Sequence, residues 1–164
     1  APCRKAIKDA LKVMMSGTED EMIDFIDQFR KKFRSLPPEE ISFPRTVSDV
    51  VKYKGRNAIY EKGTPIHARG SLLFNHHVKR LGLEGKYSLI GNGEKVKFCY
   101  LRSPNPIHEN VMSFIQDFPR EIGIEKYIDY DLQFEKSFLD PLKIILDVIQ
   151  WNVEKTASLE SFFS

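Results

Sequence analysis

The sequence is short of the residues that staple small folds. It holds two cysteines, Cys3 and Cys99, among 164 residues. Neither sits at metal-ligand spacing, and two thiols cannot build a disulfide-rich scaffold, so they read as free thiols of a reducing compartment. Of the four histidines, only His76 and His77 are adjacent. Neighbours in a helix point about 100° apart, and no second pair of histidines or cysteines stands near enough to complete a metal site. His77 therefore reads as a packed or hydrogen-bonded histidine. No apolar run approaches the roughly 18 residues of a membrane span, and the opening APCRKAIKDA has no signal-type hydrophobic region. Catalytic signatures are missing too: there is no GxSxG, CxxC or HExxH, and the GNGEK at 91–95 lacks the GxxxxGK[ST] pattern of a phosphate loop.

What remains is ordinary globular composition, 41% hydrophobic and 29% charged, in a length that suits one domain or one domain with an appendage. The formal charge of +2 hides a segregation. Residues 1–44 carry eight basic and eight acidic side chains; residues 45–102 carry twelve basic against four acidic; residues 103–164 carry five basic against eleven acidic. A central segment of net +8 suits a polyanion, unless it is only a solvated face.

Along the chain, Cys3, Ala6, Ile7, Ala10, Leu11 and Met14 recur at helical spacing, predicting a helix from Pro2 to Met15 that Ser16-Gly17 stops. Thr18 with Glu21 is a capping box for a second helix, whose apolar side is Met22, Ile23, Phe25, Ile26, Phe29 and Phe33. Leu36-Pro37-Pro38 ends it. The segment to Val51 is short strand or coil, since Pro44 argues against a central strand. Lys52, Lys54, Arg56 and Lys62 then interleave with Tyr53 and Tyr60, an arrangement that suits a phosphate backbone or, for the tyrosines, half-buried packing.

Thr64-Pro65 predicts the start of a third long helix, Thr as cap and Pro in the first turn, with Gly82 ending it. Gly70 inside it costs about 1 kcal/mol relative to alanine, which a close approach to another helix or to a phosphate backbone would explain. Asn92-Gly93 is a turn feeding a strand that places Val96, Phe98 and Tyr100 on one face and Lys95, Lys97 and Cys99 on the other. Residues 109–117 are expected as a short helix around Val111, Met112 and Ile115, and 122–128 as turns. From Asp129 the chain reads as helical scaffold, kinked or restarted at Pro141. The final Leu159, Phe162 and Phe163 share one face of a possible helical turn. Asp129 and Asp131 are the only close acidic pair in a short polar setting. They could hold Mg²⁺ or act simply as helix-start acids.

Taken together, PPEEISFPRTVSDVVKY, KGTPIHARGSLLFNHHVKRLGL, NGEKVKFCYL with SPNPIHENVMSF, IDYDLQFEKSFLDPLKIILDVIQW and the closing KTASLESFF resemble the C-terminal thumb region of the replicative family B DNA polymerases of T-even-like bacteriophages. The resemblance covers essentially the whole chain. It implies an α+β, mainly helical fold with a small β element and a flexible C-terminal tail: a thumb over 1–156, its first helix leading out of the palm, and a sliding-clamp-binding tail over 157–164. It implies a region that grips primer–template duplex through phosphates, indifferent to sequence, and carries duplex contact onto His67, Arg69, Lys95 and Lys97. Composition adds Lys54, Arg56, Lys62, Lys79, Arg80 and Lys86. The clamp role falls on Leu159, Phe162 and Phe163, although the glutamine that opens many clamp motifs is absent.

The family's palm aspartates in their YxDTDS-type setting, its fingers helix and its exonuclease are absent from these 164 residues. The resemblance thus implies no catalytic residue or cofactor in this chain, Mg²⁺ in the parent polymerase, remaining polymerase domains as partners in the same chain or as a second subunit, and the cytoplasm of an infected host. Two other readings stay open on the residues alone. One is a protein-interaction module with a basic face for an acidic partner; the other is a small metal-dependent nuclease using Asp129 and Asp131.

Overall fold

The computed structural model describes residues 2–153. The fold is α+β and mainly helical, with one three-stranded antiparallel sheet of order β1-β2-β3. The chain forms two compact units: one from residues before 37 and after 129, the other from the continuous segment 37–129.

In the first unit, helix α1 (Pro2–Ser16) buries Ala6 and Ala10. Helix α2 (Glu19–Arg34) starts at Thr18, whose hydroxyl accepts the Glu21 amide at 3.2 Å, so the Thr18 half of the capping box forms. Acids in its first turn and Lys31, Lys32 and Arg34 in its last both complement the helix dipole. The second half of the unit is α5 (Tyr130–Phe134), a π-helical segment over 135–139, and α6 (Asp140–Val148). Pro141 is the second residue of α6, which continues the helical path without a break, and the wider π turn just before it accommodates the missing N–H. The core is aromatic. Phe29 lies 4.8 Å from Phe138 and Phe33 lies 5.3 Å from Phe134, centroid to centroid, both edge-on. Arg34 pairs with Asp131 at 2.9 Å, and the Tyr130 hydroxyl donates to the Leu36 carbonyl at 2.7 Å.

The second unit is a sheet with a helix on one face. After a short helical turn, α3 (Pro38–Ile41), strand β1 (Phe43–Val47) pairs with β2 (Glu94–Tyr100), and β2 with β3 (Val111–Phe114). Pro44 is tolerated because β1 is an edge strand. Register places Phe43 opposite Phe98 and Phe98 opposite Ser113. Helix α4 (Ile66–Arg80) lies on the Ser113 face: Ser113 Oγ donates to the His67 carbonyl at 3.0 Å. Gly70 is the point of closest approach, since a β-carbon there would stand 2.9 Å from the Ser113 amide nitrogen. The neighbour that demands glycine is thus a strand.

Three expectations need correction. Residues 111–114 form a strand, not part of a helix: all four are buried, paired with β2 and met by α4 at Ser113. A short apolar run buried on both faces carries no period that separates helix from strand. Thr64 does not cap α4. Both its amide and its hydroxyl close on the Glu61 carbonyl, and Pro65, extended at ψ 147°, takes the cap position. Helix α3 was also unread. At the other end of α4 the glycine stop holds: Gly82 has φ +67°, its amide bonds Lys79 O, and the Leu83 amide reaches Val78 O.

Candidate nucleic-acid interface

All ten candidate DNA-contacting residues fall in the second unit, and they divide by what already occupies them. Lys54, Arg56, Lys62, Lys79 and Lys95 are exposed, and among the described residues none has an acidic partner. Lys54 and Arg56 belong to a tight loop. Lys54 bridges Tyr60, and the Glu61 amide bonds the Tyr53 carbonyl at 2.8 Å. Gly55 is required there, because a β-carbon would collide with the Ala58 carbonyl. Lys79 stands in the last turn of α4, and Lys95 on β2 opposite Thr46.

Of the other five, four are engaged and His67 is half-buried. Lys86 is held by Glu121 at 2.8 Å, and the Tyr87 hydroxyl donates to the same carboxylate at 2.6 Å. Those two donors hold Glu121 down at about 2, while burial and Glu121 push Tyr87 up to about 12. Lys97 is half-buried and donates to the Glu39 carbonyl at 3.0 Å. Its neighbour on the same strand face, Cys99, is fully buried, and burial pushes that thiol up to about 12. Only the Lys95 end of this face is open to a ligand. Arg80 Nε donates to His77 Nδ1 at 3.1 Å.

Arg69 lies over the Tyr60 ring at 5.6 Å and donates to Asn110 Oδ1 at 2.6 Å, while its Nε is buried with no partner. Tyr60 in turn donates to Glu109. Tyr60 and Arg69 therefore tie the 54–60 loop to the 105–110 loop, and Tyr60 serves packing more than it offers a free ring. His67, in the opening turn of α4, is half-buried. Burial first, and then Arg45, hold its pKa below the ordinary histidine range, so it presents a neutral imidazole at neutral pH. Arg45, not among the ten candidates, also belongs to this surface through its effect on His67. It is exposed on β1, 5.8 Å over the Phe98 ring, and its only signal was membership of the basic segment.

Three of the free cations converge. Lys54, Arg56 and Lys79 border an open cleft of about 560 Å³, with His76 also on its edge. Its apolar lining comes from Val50, Ile59, Leu72 and Ile90. Two asparagines brace its walls. Asn75 both donates to the Ile90 carbonyl, at 2.9 Å, and accepts its amide, at 2.7 Å. Asn92 Oδ1 accepts the Val50 amide at 2.5 Å. The remaining candidates, including Lys62 and Lys95, do not line this cleft.

Over 164 residues the chain is 27% identical to the DNA-directed DNA polymerase of Enterobacteria phage T4, covering 98% of this chain and 18% of that protein. The similarity is to a phage DNA-directed DNA polymerase. The DNA-directed DNA polymerase of Escherichia phage RB69 matches at 27% over 165 residues, with the same shares of each chain. The chain thus spans about 18% of the length of these curated relatives. No family model matches it.

The remaining candidates can be placed against this similarity. Leu159, Phe162 and Phe163 lie outside the described residues. Asp131, offered as half of an acidic pair, has its carboxylate taken by Arg34. Among the described residues no three His, Cys, Asp or Glu side chains group as metal ligands. No helix of the described residues is long and apolar enough to cross a membrane.

Proposed function

We propose that this chain is the duplex-gripping thumb portion of a replicative DNA-directed DNA polymerase. The observation that carries the reading is the match to two phage polymerases along nearly its whole length. The cations that no acid neutralises support it: Lys54, Arg56, Lys62, Lys79 and Lys95 reach solvent from loops, a helix end and a strand, an arrangement that suits phosphates rather than base edges. Arg69, Lys97 and Lys86 hold loops and strand in place beside the duplex, and Arg80 and His67 are further duplex contacts. Polymerisation, with its Mg²⁺, belongs to catalytic residues elsewhere in the parent enzyme, and other polymerase domains and primer–template DNA are the partners. A sliding clamp docks on Leu159, Phe162 and Phe163.

Fluorescence titration with two primer–template duplexes of unrelated sequence tests the grip. Binding at low salt with equal affinities is expected; no binding, or a clear preference for one sequence, rejects it. For the tail, calorimetry with the cognate clamp should show weakened binding for Phe162→Ala and Phe163→Ala, and unchanged affinity rejects that assignment.

A further inference from the structure

The cleft bordered by Lys54, Arg56 and Lys79 has features that gripping a duplex does not use. A duplex backbone needs exposed cations, yet here they rim an apolar recess whose size falls in the range of about 300–1,000 Å³ typical of small-ligand sites. The recess pairs a greasy wall with a rim that is cationic and free of ion pairs. Its complement is a flat, weakly polar ring with anions on either side. We propose that the cleft receives one unstacked nucleotide of single-stranded DNA, its base against Val50, Ile59, Leu72 and Ile90 and its flanking phosphates on Lys54, Arg56 and Lys79.

An acidic peptide fits less well. Extended peptides dock by pairing with a row of free backbone groups, and no strand edge lines this cleft, while part of its lining is already engaged. Gly55 N bonds the Ile59 carbonyl, Asn75 takes both backbone groups of Ile90, and Asn92 takes the Val50 amide. A base needs only the apolar surface and one or two polar groups at its edge, which His76 and Asn57 supply on the rim. The inference rests on the DNA-gripping reading and adds a place for a base that has left the duplex.

The test uses the full chain and a short single-stranded oligonucleotide carrying one 2-aminopurine. Seating the base should change its emission, and Ala58→Trp, which fills the cleft from an exposed position, should weaken the oligonucleotide about tenfold while leaving duplex affinity unchanged. In parallel, the wild-type chain is photocrosslinked to an oligonucleotide carrying 5-iododeoxyuridine. Crosslinks should map to residues 50–59 or 72–91; crosslinks confined elsewhere overturn the proposal even if the tryptophan variant fails to fold. It is also overturned if an abasic oligonucleotide binds as tightly, which reduces the cleft to a phosphate contact. Displacement of the oligonucleotide by an acidic peptide at lower concentration overturns it in favour of a protein partner. Loss of duplex binding with a surviving Ala58-sensitive signal removes the duplex reading and keeps the cleft; the reverse pattern does the opposite.

Discussion

His77 is a base confined where a charge is unwelcome. It is 7% exposed, accepts from Arg80 on Nδ1, and has a buried Nε2 with no partner. Burial first, then the neighbouring His76 and Arg80, push its pKa down to about 4. Because the folded value lies below the ordinary 6.5, the unfolded chain takes up the proton first. The contribution of His77 to stability is therefore full above about pH 6.5, falls as pH drops towards 4, and changes little further below that. The slope within that window approaches 1.4 kcal/mol per pH unit. His67, lowered by burial and Arg45, acts in the same direction. Urea midpoints measured from pH 7 to pH 4 should decline, and His77→Gln should flatten most of the decline. An equally steep decline in that variant would assign the effect to other groups. The sequence showed that His77 sits on the apolar side of its helix; it could not show that one ring nitrogen is left without a partner, because that depends on what packs over it.

At the scale of elements, the contact between α4 and β3 is the tightest joint in the second unit. A glycine within a helix normally gains about 1 kcal/mol on replacement by alanine. At Gly70 the new carbon would press on the Ser113 backbone, and strand backbone cannot swing aside as a long side chain can. Gly70→Ala should therefore lower the urea midpoint, by the roughly 1–3 kcal/mol of an overpacked core; a rise would show that α4 can shift. In the first unit the comparable element is the α2 cap, where Thr18→Ala should cost about 1 kcal/mol, readable as a lower thermal midpoint. Caps, amphipathic periods and the Gly82 stop are local chemistry, which is why α1, α2, α4 and β2 were legible in the sequence. Strand β3 was not. Val111–Phe114 becomes a strand because β2 offers it a partner, and four residues buried on both faces hold no signal of their own.

For the whole molecule, charge along the chain and charge in space part company. The segment 103–129, which the charge count along the chain groups with the acidic end, folds with the basic residues, giving the second unit fourteen basic and eleven acidic side chains. Its acids are used selectively: Glu121 neutralises Lys86, 35 positions away, and Glu125 shares Arg120 with Glu39. No count along the sequence foretells those pairings, yet they decide which cations remain for a polyanion. Each phosphate neutralised steepens the dependence of log affinity on log salt by about 0.9. Substitution by glutamine at Lys54, Lys62, Lys79 or Lys95 should then each reduce that slope by up to about 0.9 without lowering the thermal midpoint. Lys86→Gln should leave the slope nearly unchanged, because its charge is already matched. Lys97→Gln, which breaks the bond to the Glu39 carbonyl, should lower the midpoint more than the slope. Duplex titrations at four or five salt concentrations, beside a melting curve for each variant, separate these outcomes. If Lys86→Gln and Lys79→Gln changed the slope alike, ion pairing within the unit would not govern which cations meet the DNA, and the division of the ten residues into free and engaged would lose its functional meaning.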